Sequence, residues 1–207
     1  PFSFYHLSKV HDSNNIMFAC KVWGLAATDL NQGVVYGLHT DETRVGNDLQ
    51  TSFHYDAVFG TVLNRFVVQA VAGHPLTVYG KGSQTRGCLN ILDTIQCIDL
   101  AVNHPAKQGE YRVFNQFTEQ FSIMDFARIV IEASKKCGLE VNIKHIANPR
   151  HEMEDHYYNP KHTKVLSLGL KPHLLTEDVV VEMLKYATER KRNIDSATIV
   201  PQIKWEH

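Results

Sequence analysis

Short strand-like runs alternate with stretches of helical periodicity along the 207 residues, and that order constrains the fold more than any other feature of the chain. From Tyr5 through Phe18 to Trp23 apolar residues recur at three and four spacings, interrupted by the polar stretch His11 to Asn15; Gly24 stands where a helix C-terminus favours glycine. Leu25 to Leu30 and Gly33-Val34-Val35-Tyr36-Gly37 then read as a buried strand running into a loop, and His39 to Gln50 as an exposed polar excursion. A longer helix is predicted from Tyr55 to Ala72 on Val58, Val62, Phe66 and Ala70, closed by Gly73 and Pro75. Leu76 to Tyr79 predicts a short strand, and Gly80-Lys81-Gly82 a hairpin turn after it. Further strands are expected at Cys88 to Ile91, Tyr111 to Asn115 and Val141 to Ile146, the last followed by a turn at Asn148-Pro149, with a helix from Asp93 or Thr94 to Val102. Ser122 and Asp125 form an S-x-x-D capping box for a helix ending at Cys137-Gly138, and Thr176-Glu177-Asp178 opens a last amphipathic helix through Val179, Met183, Tyr186 and Ala187. Strands alternating with helices mean an α/β fold.

Composition removes several functional classes. With 21 Lys+Arg against 22 Asp+Glu, a formal charge of -1 and 43% hydrophobic residues, the chain is expected to be a soluble globular protein with no broad field for polyanions, although a local basic pocket for one anionic ligand is compatible with it. No apolar run approaches the ~18 to 20 residues of a spanning helix. Cys20, Cys88, Cys97 and Cys137 include no CxxC pair, so neither a disulfide scaffold nor a structural metal is expected, and a reducing compartment fits. His151, Glu154 and His156 carry metal-ligand chemistry, but i and i+5 point apart on a helix, and no metal is expected there.

The chemistry begins at Tyr5-His6-Leu7-Ser8-Lys9. Tyr5 and Lys9 lie one helical turn apart on one face, where an ammonium can favour the phenolate and turn a poor base into an acid/base pair. By itself such a pair is as easily an exposed i,i+4 contact. The chain also starts at Pro1 without an initiator Met, and is read as a piece of a longer protein.

A YxxxK helix, a strand leaving through Val-Val-Tyr-Gly, another helix and then PLTVYGKGSQTRG resemble the extended short-chain dehydrogenase/reductases, the NAD-dependent epimerase/dehydratase family. The segments YHLSKVHDSNN, ATDLNQGVVYG, DETR, HYDAVFGTVLNRF, RVFNQFTEQFS and NPRHEMEDHYYNPKHTKVLSLGL extend the resemblance to its sulfite-adding branch, from Phe4 nearly to the C-terminus. The resemblance implies the C-terminal part of a Rossmann-type parallel sheet plus a smaller α/β substrate-binding domain. Residues 1–38 would end the NAD-binding domain, and 39–207 would form mainly the nucleotide-sugar domain, with about 55–75 and 88–103 returning to the Rossmann sheet. It also implies an NAD cofactor, UDP-glucose and sulfite as substrates, UDP-sulfoquinovose for sulfolipid synthesis as product, and a homodimer in the full-length protein. The location would be the chloroplast stroma in a plant or alga and the cytoplasm in a bacterium. The Gly-rich phosphate turn and the third triad member are expected upstream of Pro1, since Gly80, Gly82 and Gly87 do not have GxGxxG spacing.

Roles follow from the same resemblance. UDP-glucose would be oxidised at C4, lose water across C5 and C6, take sulfite at C6 and regain hydride at C4. Tyr5 would take the C4 hydroxyl proton, and Lys9 would stabilise the phenolate and reach the nicotinamide ribose. Gln32 would contact the sugar and Val35 the nicotinamide; a loop hydrogen bond and core packing are their structural alternatives. Arg86 and Arg150 would hold the diphosphate, with solvated surface charge as the alternative. Asn64 would be a further phosphate or sugar contact, with Arg65 beside it, and Tyr79 would pack on the uracil or belong to the core. Tyr157, Tyr158 and Asn159 would shape a substrate lid. Ala26 and Leu92 stand where the family usually has Arg. A 4-epimerase or 4,6-dehydratase, or an inactive nucleotide-sugar-binding module, would use the same UDP site without sulfite.

Overall fold

The computed structural model describes residues 4–50, 52–148 and 160–200, in which strands and helices follow one another in α/β order. Helix α1 (Phe4–Trp23) runs unbroken through the polar stretch at His11 to Asn15, where half-buried Ser13 donates its hydroxyl to the Asp29 carboxylate at 2.6 Å and its neighbours face solvent. Gly24, at φ 67°, ends it with an N–H to the Cys20 carbonyl.

The run expected to form one buried strand is two, β1 (Ala27–Gln32) and β2 (Val34–Tyr36). Gly33 separates them: its N–H bonds Gln116, and a Cβ there would stand 2.5 Å from the Gly87 carbonyl oxygen, so only glycine passes this close to the neighbouring backbone. β1 is half-exposed, because among the described residues it has one partner, the parallel strand β5 (Tyr111–Gln116).

Helix α2 (Val62–Ala72) starts seven residues later than its periodicity predicts. The Asp56 carboxylate accepts the N–H groups of Val58 and Phe59 at 2.7 and 2.9 Å, and this side-chain turn competes with helix over that stretch. The Thr61 hydroxyl then caps α2 by accepting the Asn64 N–H, and Gly73 closes it at φ 74°. The polar excursion before it is tied down rather than free: Arg44 pairs with Glu182, and Arg190 donates to Gln50.

Strand β3 (Leu76–Tyr79) pairs in parallel with β7 (Ile143–Ile146), whereas β4 (Thr85–Asn90) lies between parallel β2 and antiparallel β6 (Glu119–Ser122). Gly80-Lys81-Gly82 is therefore not a hairpin turn; it carries the chain from one sheet to another, and Gly82, at φ 75°, sits tight against Val78 and Met124. Helix α3 (Ile91–Asn103) starts two residues before the expected Asp93, because the Asn90 side chain caps Leu92. α4 (Ile123–Lys136) opens on the full Ser122/Asp125 capping box, α5 (Thr163–Ser167) is a single short turn, and α6 (Glu177–Glu189) is capped by Thr176.

The main core lies where α2, α4 and α6 cover β3: Phe66, Phe126, Met183, Leu184, Leu76 and Val78 are all buried there. Each such side chain contributes about 1.5–3 kcal/mol relative to exposure. No helix among the described residues is long and apolar enough to cross a membrane.

Candidate functional site

Six elements converge on a cavity of about 370 Å³: the start of α1 supplies Tyr5 and His6, β2 supplies Val34, α2 and the loop before it supply Gly60, Thr61 and Arg65, β3 ends in Tyr79, Gln84 and Arg86 lie before and within β4, and α4 starts at Ile123. Helical phase decides what α2 presents. Val62, Phe66 and Ala70 repeat every four residues toward the core, and Arg65, one turn from Val62, lies on the flank of that stripe. Arg65 as a whole is 92% buried, and its guanidinium stands 5.4 Å from the Tyr79 ring centroid and 5.7 Å from that of Phe66. Arg86, half-buried, donates Nη1 to its neighbour's carbonyl, Thr85, at 3.0 Å. None of the described lining residues is acidic. Two guanidiniums in a recess whose described lining carries no carboxylate, flanked by aromatic rings, favour a ligand with delocalised negative charge.

Tyr5, Tyr79 and Arg86 thus meet as the sequence predicts. Tyr5 is 66% exposed, with Lys9 Nζ 5.7 Å from its ring centroid and the His6 ring edge-on at 5.5 Å. Lys9 also pairs with Asp12 at 3.6 Å, both on the exposed side of α1. Lys9, Gln32, Val35 and Asn64 are not among the described residues that line the cavity. Gln32 ends β1 and donates Nε2 to Thr94 Oγ1 at 3.5 Å; Val34, not Val35, faces the cavity, as strand alternation requires of neighbours. Asn64 turns its Nδ2 to the His54 carbonyl at 3.0 Å, while the adjacent Arg65 lines the cavity. Arg65, His6 and Gln84 are among the lining residues that sequence reading did not choose; the period of α2 carried the signal for Arg65. Arg150, with His151, Glu154, His156, Tyr157, Tyr158 and Asn159, lies outside the described residues. Among the described residues no cluster of His, Cys, Asp or Glu is arranged to hold a metal.

The fit to a nicotinamide cofactor is partial. Tyr5 and Lys9 offer a hydroxyl and an ammonium from one exposed helix face, which suits the nicotinamide-ribose end. The glycine turn after β3 leads into β4 rather than a helix, so it cannot cradle the cofactor's phosphates as a strand–glycine–helix turn does.

Residues 3–115 match the NAD dependent epimerase/dehydratase family. The chain is 59% identical over 204 residues to the chloroplastic UDP-sulfoquinovose synthase of Spinacia oleracea, covering 99% of this chain and 42% of that protein. It is 45% identical over 207 residues to UDP-sulfoquinovose synthase of Sulfolobus acidocaldarius, covering 98% and 52%. The chain therefore spans about half the length of these relatives. Among solved structures, UDP-glucose 4-epimerase of Thermotoga maritima with UDP-glucose superposes with a TM-score of 0.69 at 19% identity, over 94% of this chain and 55% of that one. The Bacillus cereus UDP-glucuronic acid 4-epimerase with UDP-glucuronic acid and NAD gives 0.67 at 20% identity, over 92% and 54%. At these identities the likeness is one of fold.

Proposed function

Because the chain belongs to the NAD dependent epimerase/dehydratase family, we propose that its cavity is the nucleotide-sugar end of an enzyme making UDP-sulfoquinovose from UDP-glucose and sulfite. The observation that carries this reading is the gathering of Tyr5, Arg65, Tyr79 and Arg86 around one recess free of acidic side chains among the described residues. The 59% identity to the spinach enzyme supports the sulfite-adding chemistry over epimerisation. On this reading the chain is the C-terminal part of the enzyme, with residues 1–38 in the NAD-binding domain and 39–207 mainly in the nucleotide-sugar domain.

Arg65 and Arg86 hold the diphosphate by charge-assisted hydrogen bonds, each guanidinium able to present two N–H groups to a pair of oxygens. By resemblance Arg150 adds a third. With the diphosphate fixed, the hexose extends toward α1, where Tyr5 withdraws the C4 hydroxyl proton. Lys9, one turn away, favours the phenolate electrostatically and holds the nicotinamide ribose. NAD, when bound, supplies the hydride acceptor at C4. Resemblance alone supports Gln32 at the sugar, Val35 at the nicotinamide and Asn64 at a phosphate or sugar hydroxyl. The same resemblance supports a homodimer, and a chloroplast stroma location in a plant or alga.

The test is turnover of UDP-glucose with and without sulfite by the full-length protein that contains this chain. A sulfite-dependent UDP-linked product is expected, and Tyr5→Phe should lower kcat by about 100-fold or more. Unchanged turnover in Tyr5→Phe removes Tyr5 from the chemistry; a product formed without sulfite makes the enzyme an epimerase or dehydratase.

A further inference from the structure

Gln84 is 97% buried in the wall of the cavity, yet no hydrogen bond from the described residues reaches its Oε1. Its backbone is well held: the carbonyl accepts the Ile123 N–H at 3.2 Å, at the start of α4. A buried carbonyl oxygen left unpaired costs stability that an apolar side chain of the same shape would not. Ile123 and Val34, both apolar, line the same recess.

We propose that Gln84 recognises a neutral polar group of the ligand and makes the cavity selective for a nucleoside diphosphate over bare pyrophosphate. This rests on the anion-site reading given above and adds to it the ligand's uncharged part. A half-turn of the amide exchanges its oxygen and nitrogen, so Gln84 can offer either an acceptor or a donor pair. That versatility suits a pyrimidine imide or a ribose hydroxyl, each of which has both kinds of partner. Arg65 and Arg86 line the same recess and take the phosphates, and Tyr79 supplies an aromatic wall beside them. The volume of about 370 Å³ is at the small end of ligand sites, large enough for a nucleotide portion and not for a macromolecule.

Titration calorimetry of the full-length protein that contains this chain with UDP and with pyrophosphate tests this, using Gln84→Met, which keeps the unbranched shape and removes both donor and acceptor. UDP should bind more tightly than pyrophosphate to the unmodified protein. Gln84→Met should weaken UDP about tenfold, the loss of roughly one neutral hydrogen bond, and leave pyrophosphate within about twofold. Its ligand-free Tm should stay level or rise by about 2–4 °C, whereas a glutamine serving the fold would lower Tm on removal. Gln84→Glu places an anion beside the two guanidiniums and should weaken both ligands. If the unmodified full-length protein binds neither ligand, the anion-site reading fails and the role of Gln84 falls with it. If UDP binds and Gln84→Met binds it equally, or if Gln84→Met weakens UDP and pyrophosphate to the same degree, the anion site stands and the proposal for Gln84 is overturned.

Discussion

Gln69, on α2, is fully buried and uses every part of its amide: Nε2 donates to Thr77 Oγ1 and to the Ile199 carbonyl, each at 2.8 Å, and Oε1 accepts the Thr77 N–H at 3.0 Å. The reason lies in the sheet. β3 gives the N–H of Leu76 to Asn142, and that of Gly80 just past its end goes to Ile146, both on the β7 side, while the intervening Thr77 N–H faces the other edge. The glutamine side chain takes the place of a neighbouring strand there. Gln69→Met keeps the volume and strands two buried backbone groups, Thr77 N–H and Ile199 C=O, since both residues are at most 5% exposed. At about 1–3 kcal/mol for each stranded group the cost is about 2–6 kcal/mol, a large part of the ~5–15 kcal/mol that holds a domain together. For a chain of this size that lowers Tm by roughly 5–20 °C. Thermal melting followed by far-UV circular dichroism, with a urea titration of the same proteins, measures it. A fall below about 2 °C, with an unchanged urea slope, would show that the edge finds other partners and would refute the argument.

Two further predictions concern α4 and the thiols. Burial opposes ionisation of Asp125, but the Ser122 hydroxyl and N–H, together with Arg128, hold its pKa below the usual carboxylate range. Its contribution is therefore complete above the unfolded value near ~4 and is lost as pH falls through the lower folded value. Ser122→Ala should cost about 1 kcal/mol at neutral pH, or about 2–4 °C, and the gap should narrow in melts taken toward pH ~2. Burial lifts the Cys88 thiol to about 12 and the Cys97 thiol to about 11, and Cys20 is buried as well. At pH ~8, close to the ordinary thiol pKa, a disulfide reagent should modify only the half-exposed Cys137 quickly, and mass mapping should find the label in the peptide that contains it. Fast labelling of Cys88 would contradict the packing around β4.

Local chemistry made the helices legible. The S-x-x-D box at Ser122, the Thr176 cap and the left-handed Gly73 each act within four residues, and each stands where the sequence puts it. What escaped depends on distance or on competition. Pairing of β3 with β7 joins residues more than sixty positions apart, and nothing near Gly80 signals that its turn leaves one sheet for another. The Asp56 turn overrides a helical pattern that Val58 seemed to continue, although both Val58 and Phe59 end up exposed. At the cavity, Tyr5, Tyr79 and Arg86 came from motif order, but motif order cannot choose between Asn64 and Arg65. Helix phase can, because one residue of shift rotates a side chain by about 100°.

The walls of the cavity hang from elements that share few backbone hydrogen bonds. β2 and β4 belong to one sheet and β3 to another, while α1 and α2 belong to neither. A substitution in the core beneath α2 can then shift Arg65 against Arg86 without breaking a single strand pairing. Ligand preference in such an architecture can drift through methyl-sized changes far from the ligand, on a scaffold whose ladders never register the difference.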